Sequence, residues 1–373
     1  MNVNPQTPLN ATATPARPRV SLALQGGGSH GAFTWGVLDA LLEDGRIDLE
    51  GISGTSAGAM NAVALAHGFA QAQGQPGRDP REAARESLAS FWGGIVSMGA
   101  LSEAQRAPFS MLLGQDDSDN SAAAVWSSAL TTFWTSALSP YQSNPFDLNP
   151  LRQFVVKQID FERIARLKAL KIFVIATCVS TGKAEVFTDE RLTADAVMAS
   201  ACLPTMFKAV EIEGHSYWDG GFSGNPSFHP LIYDCQSNDV VLVQINPLKR
   251  DKLPTTSLQI MDRMNEITFN ASLIGEMRAI DFVNRLLAAG KLDPTQYKSL
   301  LLHRIDGGKA LDAFSASSKS STKASVIHAL RDLGRASART WLAARYASLG
   351  VVSTVDIQQD YLDDLRMPVK RRA

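Results

Sequence analysis

A chain of 373 residues, 45% of them hydrophobic, is long enough to bury a large core, as one large α/β domain or one domain with a helical addition. Its formal net charge of −1 argues against a partner held by bulk electrostatics, nucleic acid first among them. Three cysteines, Cys178, Cys202 and Cys235, are odd in number and lack C-x-x-C spacing; they exclude a disulfide framework and suit a reducing, cytoplasmic setting, with peripheral membrane contact as the alternative.

The first 18 residues are mostly Asn, Gln, Thr, Ala and Pro and read as a disordered tail rather than a signal peptide. No run of 18 apolar residues occurs, so no membrane span is expected. Arg19 to Gln25 is a short buried strand that runs into Gly26-Gly27-Gly28-Ser29-His30-Gly31. Ala32 to Leu42 follows as a helix, with Phe33, Val37, Leu38, Leu41 and Leu42 on one stripe and Gly45 as its stop. Ile47 to Ser53 is a second strand. It delivers Gly54-Thr55-Ser56-Ala57-Gly58, and Ala59 to Gln71 continues as an alanine-rich helix. This opening is the start of a doubly wound sheet with right-handed crossovers.

Residues 75–145 read as a helical insertion above the sheet. Arg81 to Phe91 is helical; beyond it Trp92, Met98, Phe109, Met111, Trp126, Phe133 and Trp134 are scattered among small residues and the acidic Asp116, Asp117 and Asp119. Most of these aromatics are expected to be core, with a lid or acyl-chain pocket as the competing reading. Leu151 to Ile159 is a helix. Leu170 to Val179 is a nearly continuous apolar run, hence a central strand buried on both faces. Ala184 to Thr188 returns as a hairpin strand, and Thr193 to Cys202 is a short helix. Val210 to Ile212 and His215 to Trp218 form a second hairpin ending in Asp219-Gly220-Gly221, and Asp239 to Ile245 is one more buried strand.

After Pro254 the pattern turns helical, with Met261, Met264, Ile267, Ile274, Met277, Ile280, Val283 and Leu287 mostly three and four apart. An edge strand is expected at Leu300 to Ile305, a Ser- and Lys-rich loop at Lys309 to Thr322, an amphipathic helix at Ala324 to Ala347 and a frayed basic tail at Met367 to Arg372. The organisation expected is a tail (1–18), a catalytic domain (19–250), a helical extension packed on it (254–350) and a second tail (351–373).

Three stretches carry chemistry. Gly54-x-Ser56-x-Gly58 between a strand and a helix is a nucleophile-elbow pattern. Its serine hydroxyl stands at a helix N-terminus, where N–H groups and the dipole favour negative charge. In the glycine loop, backbone N–H groups can face a ligand oxygen without a Cβ in the way; Gly26, Gly27 and Gly28, with the Ala57 N–H, are assigned to an oxyanion hole. Each such donor is worth about 2.7–4 kcal/mol of transition-state stabilisation. Both loops leave the carboxyl ends of parallel strands, so they converge on one crevice.

The base is open on the residues alone. None of the six histidines, His30, His67, His215, His229, His303 and His328, stands in a setting that marks it. Asp219 puts a carboxylate at a strand end, although Asp-Gly is also a common turn former. A dinucleotide-binding reading of the glycine loop is weak, because Asp48 and Glu50 come early in the second strand rather than at its end. Cys202 reads as a small buried hydrophobe.

In this order, Gly26-x-Gly28-x-x-Gly31, Gly54-x-Ser56-x-Gly58 and Asp219-Gly220-Gly221, with Ala-Ser-Ala-Cys-Leu-Pro at 199–204, resemble the patatin-like phospholipase family over about residues 20–232. The resemblance implies a three-layer α/β/α sandwich with a mostly parallel central sheet, followed here by the helical extension. It implies a lipid acyl hydrolase of the phospholipase A, lysophospholipase or esterase type that works through a Ser-Asp dyad and an acyl-enzyme, with no cofactor or metal. It puts the nucleophile at Ser56, the base at Asp219 and the oxyanion loop at Gly26 to Gly31, with Gly31, Gly54, Gly58, Gly220 and Gly221 as motif glycines. The family usually carries Arg or Lys where this chain has His30, which makes His30 an auxiliary candidate whose charge would follow pH. The partner implied is a lipid or acyl-ester substrate. An acyltransferase using the same elbow and a Ser-His-Asp α/β-hydrolase are the alternatives.

Overall fold

The structure, a computed structural model, describes residues 17–112, 139–144, 147–314 and 316–362. Its framework follows from strands that are apolar on both faces. Val20, Leu22 and Leu24 of β1 (Arg19–Leu24) face one core, while Ala23 faces the other. The same alternation divides Val241 and Val243 from Val240 and Leu242 in β7 (Asp239–Gln244). Such strands are stable only inside a sheet covered on both sides.

Eight strands make that sheet. Besides β1 and β7 they are β2 (Asp48–Thr55), β3 (Lys171–Cys178), β4 (Ala184–Phe187), β5 (Val210–Ile212), β6 (His215–Asp219) and β8 (Leu301–Asp306). The spatial order is β5-β6-β3-β2-β1-β7-β8, with β4 also paired to β3. The run β3-β2-β1-β7-β8 is parallel. The β5–β6 hairpin and β4 join it antiparallel.

On one face lie α1 (Gly31–Asp44), α2 (Ala57–Ala72), the start of α3 (Pro80–Leu112) and α7 (Ala324–Arg345). Two shorter helices, α4 (Pro150–Gln158) and α5 (Ala194–Ser200), pack against the same core. The other face is covered by α6 (Ser257–Ala288) through Leu273, Met277 and Ile280, with Phe228, Leu231, Val355, Ile357 and Tyr361. This is the three-layer α/β/α sandwich with a largely helical C-terminal region. Among the described residues no helix is long and apolar enough to cross a membrane.

Several local expectations take a sharper form. The helix expected over Arg81 to Phe91 continues to Leu112. Trp92 is core: it stacks on Trp35 with ring centroids 6.2 Å apart, and its indole N–H donates to Asn61 Oδ1 at 3.0 Å. The remaining landmarks of the insertion (Asp116, Asp117, Asp119, Trp126, Phe133 and Trp134) lie outside the described residues, as do residues 1–16 and the basic tail. The stretch expected as a loop at Lys309 to Thr322 contains two short helices, Gly308–Asp312 and Ala316–Ser320. Leu311 turns into the core there, which closes the backbone into a helical turn.

The C-terminal region is woven into the sandwich. β8 extends the parallel run beside β7, and α7 crosses α1 at backbone contact. A Cβ at Gly334 would overlap the Phe33 carbonyl, and one at Gly36 the Arg331 carbonyl. Gly334→Ala should therefore lower unfolding stability by about 1–3 kcal/mol through overpacking. Gly275→Ala, where α6 has open space around the added methyl, should raise it by about 0.5–1 kcal/mol through helix propensity. Urea unfolding of the two variants measures both; equal midpoints would mean that the α1–α7 contact is not tight.

Candidate active site

β2 ends at Thr55 and α2 begins at Ala57, so Ser56 alone makes the turn between them. Its backbone is at φ 53° and ψ −120°, a region that L-residues avoid unless their surroundings enforce it. Here the Ser56 N–H donates to Ser200 Oγ at 2.9 Å, and Thr55 Oγ1 donates to the Gly224 carbonyl at 2.6 Å. Gly58 is required by close approach: a Cβ there would overlap the Leu24 carbonyl at the end of β1. Gly54 lies against the same helical turn, where a Cβ would stand 2.6 Å from the Gly58 carbonyl.

The glycine loop follows β1 directly and is tied by buried amides. Gln25 Oε1 accepts the N–H groups of Ile245 and Asn246, each at 2.9 Å, and its Nε2 donates to the Asn225 carbonyl at 3.2 Å. The Gly26 N–H donates to Asn225 Oδ1 at 2.7 Å, and the Gly26 carbonyl accepts from Asn246 Nδ2 at 2.6 Å. Gly26 thus has both backbone groups occupied by protein. The expectation that it is an oxyanion donor is corrected: Gly26 anchors the loop instead. The amides of Gly27, Gly28 and Ala57 have no hydrogen-bond partner among the described residues. Gly28 has φ +59°, a conformation that glycine adopts without strain. Gly31 starts α1, next to Ala57.

Asp219 ends β6 and is 1% exposed. Its carboxyl lies beside the Ser56 hydroxyl, which favours the ionised form, and its Oδ1 accepts the Gly221 N–H at 2.7 Å. Burial outweighs these two influences and pushes the carboxyl up to about 7. The backbone on either side is fixed, with the Asp219 N–H on the Cys202 carbonyl at 2.8 Å and Thr177 Oγ1 on the Asp219 carbonyl at 2.7 Å. Gly220 lies against the Ile175 carbonyl and Gly221 against the Phe269 ring of α6.

Among the described residues no histidine hydrogen-bonds to Ser56 or Asp219. His30 is buried with Nε2 2.7 Å from Ser318 Oγ. Burial first, then Lys319 and Arg250, pulls it down to about 4, so it is neutral at pH 7 and supplies no charge that varies near neutrality. His67 bonds Gln71 and the Asp160 N–H. His303 bonds Asp239 and Thr354 behind the sheet's β7–β8 edge. His215, His229 and His328 are exposed. Cys202 donates its thiol to the Lys208 carbonyl at 3.0 Å, and burial pushes it up to about 12.

Sequence reasoning missed Ser200, Asn225, Gln25 and Asn246. A signal existed for the last two: each comes within two residues of the end of an apolar strand, where a polar side chain in a two-sided sheet must find a buried partner.

Comparison with known proteins now has a geometry to meet. A family model described as patatin-like phospholipase matches residues 22–232, the greater part of the chain. A search of curated proteins finds no match. Among solved structures, VipD from Legionella pneumophila is similar at 14% identity and a TM-score of 0.41, over 93% of this chain and 73% of that one. The matched stretch takes in the glycine loop, the elbow and the Asp219 turn alike, and the chain belongs to the patatin-like phospholipase family, hydrolases of lipid acyl esters.

Proposed function

We propose that the chain hydrolyses acyl esters of lipids with Ser56 as nucleophile and Asp219 as its base. The observation that supports this reading is the placement of a buried carboxyl, Asp219, beside the Ser56 hydroxyl at the elbow. A serine hydroxyl attacks only when a base stands in hydrogen-bond reach and donors await the oxyanion. The substrate carbonyl oxygen sits on the N–H groups of Gly27, Gly28 and Ala57. Asp219 takes the Ser56 proton as the Oγ–carbon bond forms. Collapse of the tetrahedral intermediate expels the alcohol, which leaves with that proton. Water then attacks the acyl-serine, Asp219 again taking a proton, and the fatty acid departs as Ser56 regains its hydrogen. A carboxylate with an ordinary pKa is a weak base at neutral pH; the dry setting of Asp219 strengthens it.

A fluorophosphonate probe is expected to label Ser56. Ser56→Ala and Asp219→Asn should each lose about 10⁴-fold in kcat, whereas the six single His→Ala variants keep turnover. Undiminished turnover in Ser56→Ala would remove the serine mechanism, and a His→Ala variant as inactive as Ser56→Ala would favour a triad.

Asp219 must be ionised to accept the proton, and burial raises its pKa, so activity is lost as pH falls through about 7. The kcat/KM profile should climb about tenfold per pH unit below that value and level off above it. A profile flat from pH 5 to 8 would rule out a base with this environment.

A further inference from the structure

The glycine loop has almost no side chains of its own, so what packs on it decides where its amides point. The segment Ala316–Ser320, far outside the family-matched residues 22–232, lies on it. A Cβ at Gly28 would overlap the Lys319 carbonyl. Ser318 Oγ meets His30 Nε2 at 2.7 Å, and the Phe314 ring meets the His30 ring edge-on at 6.2 Å.

The Lys319 ammonium turns inward, its side chain only 21% exposed. It donates to Asn246 Oδ1 at 3.2 Å and to Glu266 Oε1 at 3.3 Å. Glu266 is 3% exposed and also pairs with Arg250 and Arg263. A buried ammonium is tolerated only when it is paired and hydrogen-bonded, and this one has both kinds of partner. Asn246, held by Lys319 at its oxygen, donates its nitrogen to the Gly26 carbonyl at 2.6 Å. That carbonyl belongs to the same peptide unit as the Gly27 N–H. A trans peptide is rigid and planar with its C=O and N–H opposed, so fixing one end fixes the direction of the other.

We propose that Lys319 is a positioning residue for the reaction: through Asn246 and the Gly26 carbonyl it sets the direction of the Gly27 N–H. The proposal rests on the reading of Ser56 as nucleophile and the Gly27 amide as oxyanion donor. It places part of the machinery in the C-terminal segment, and the link from Glu266 through Lys319 and Asn246 to the loop polarises the Gly27 N–H as well as aiming it.

The test uses the full chain and turnover of a p-nitrophenyl acyl ester, expressed per fluorophosphonate-titrated site. Lys319→Met should label to wild-type stoichiometry, lose about 10- to 100-fold in kcat with KM little changed, and be largely rescued in Lys319→Arg. Asn246→Ala should show a similar loss, and combining it with Lys319→Met should add little further, since both break one link. Asn246→Ala also tests the link by itself if Lys319→Met does not fold. A merely structural role would lower the labelled fraction and leave kcat per labelled site unchanged; that result, or additive losses, overturns the proposal. Retained turnover in Ser56→Ala overturns the underlying serine reading, and that control tells the two failures apart.

Discussion

The site depends on a carboxyl group kept out of water. Asp219 is 1% exposed; its carboxyl lies beside the Ser56 hydroxyl, and its Oδ1 accepts the Gly221 N–H. In solution a carboxylate near neutrality would be fully ionised and poorly basic. Here desolvation opposes ionisation more strongly than the Gly221 N–H and the Ser56 hydroxyl favour it. That balance puts the carboxyl near the pH at which a proton can be taken and returned.

Achieving it requires the ends of strands from opposite directions to meet. Ser56 arrives on a parallel strand, β2, and Asp219 on β6, which runs antiparallel beside β3. β3 lies between them in the sheet, so Asp219 reaches Ser56 across the strand that separates them. The approach is close enough that backbone stands where side chains would otherwise be: at Gly58 the Leu24 carbonyl, at Gly220 the Ile175 carbonyl. Buried amides then lock the arrangement, with Gln25, Asn225 and Asn246 linking β1, the Asp219 turn and the end of β7. Among the described residues one member, Asn225 Nδ2, is buried without a partner, whereas Asn225 Oδ1 and the side-chain amides of Gln25 and Asn246 are paired.

The C-terminal region belongs to this construction. β8 completes the parallel run, α7 covers α1, and α6 brings Phe269 under the Asp219 turn and Glu266 beside Lys319. The glycine loop is thus enclosed by elements from both ends of the chain.

What the sequence by itself determined is the local grammar. Runs at 19–25 and 239–245 read as buried strands and the run at 170–179 as one buried on both faces, and β1, β7 and β3 fall there. Glycines at 54 and 58 marked the turn between β2 and α2, and Gly45 ended α1 with φ 71°. The ordered motifs marked a family, because each has its own local steric reason. Tertiary structure alone decided which amides of the glycine loop are paired. Gly26, Gly27 and Gly28 are identical letters, yet only Gly26 is occupied on both sides, by Asn225 and Asn246 about 200 and 220 residues away. It also decided the charge state of His30, which depends on burial and on Lys319 rather than on its neighbours in the chain. Periodicity and turn chemistry act over a few residues, whereas desolvation and hydrogen-bond pairing are set by whatever distant segment folds against the group.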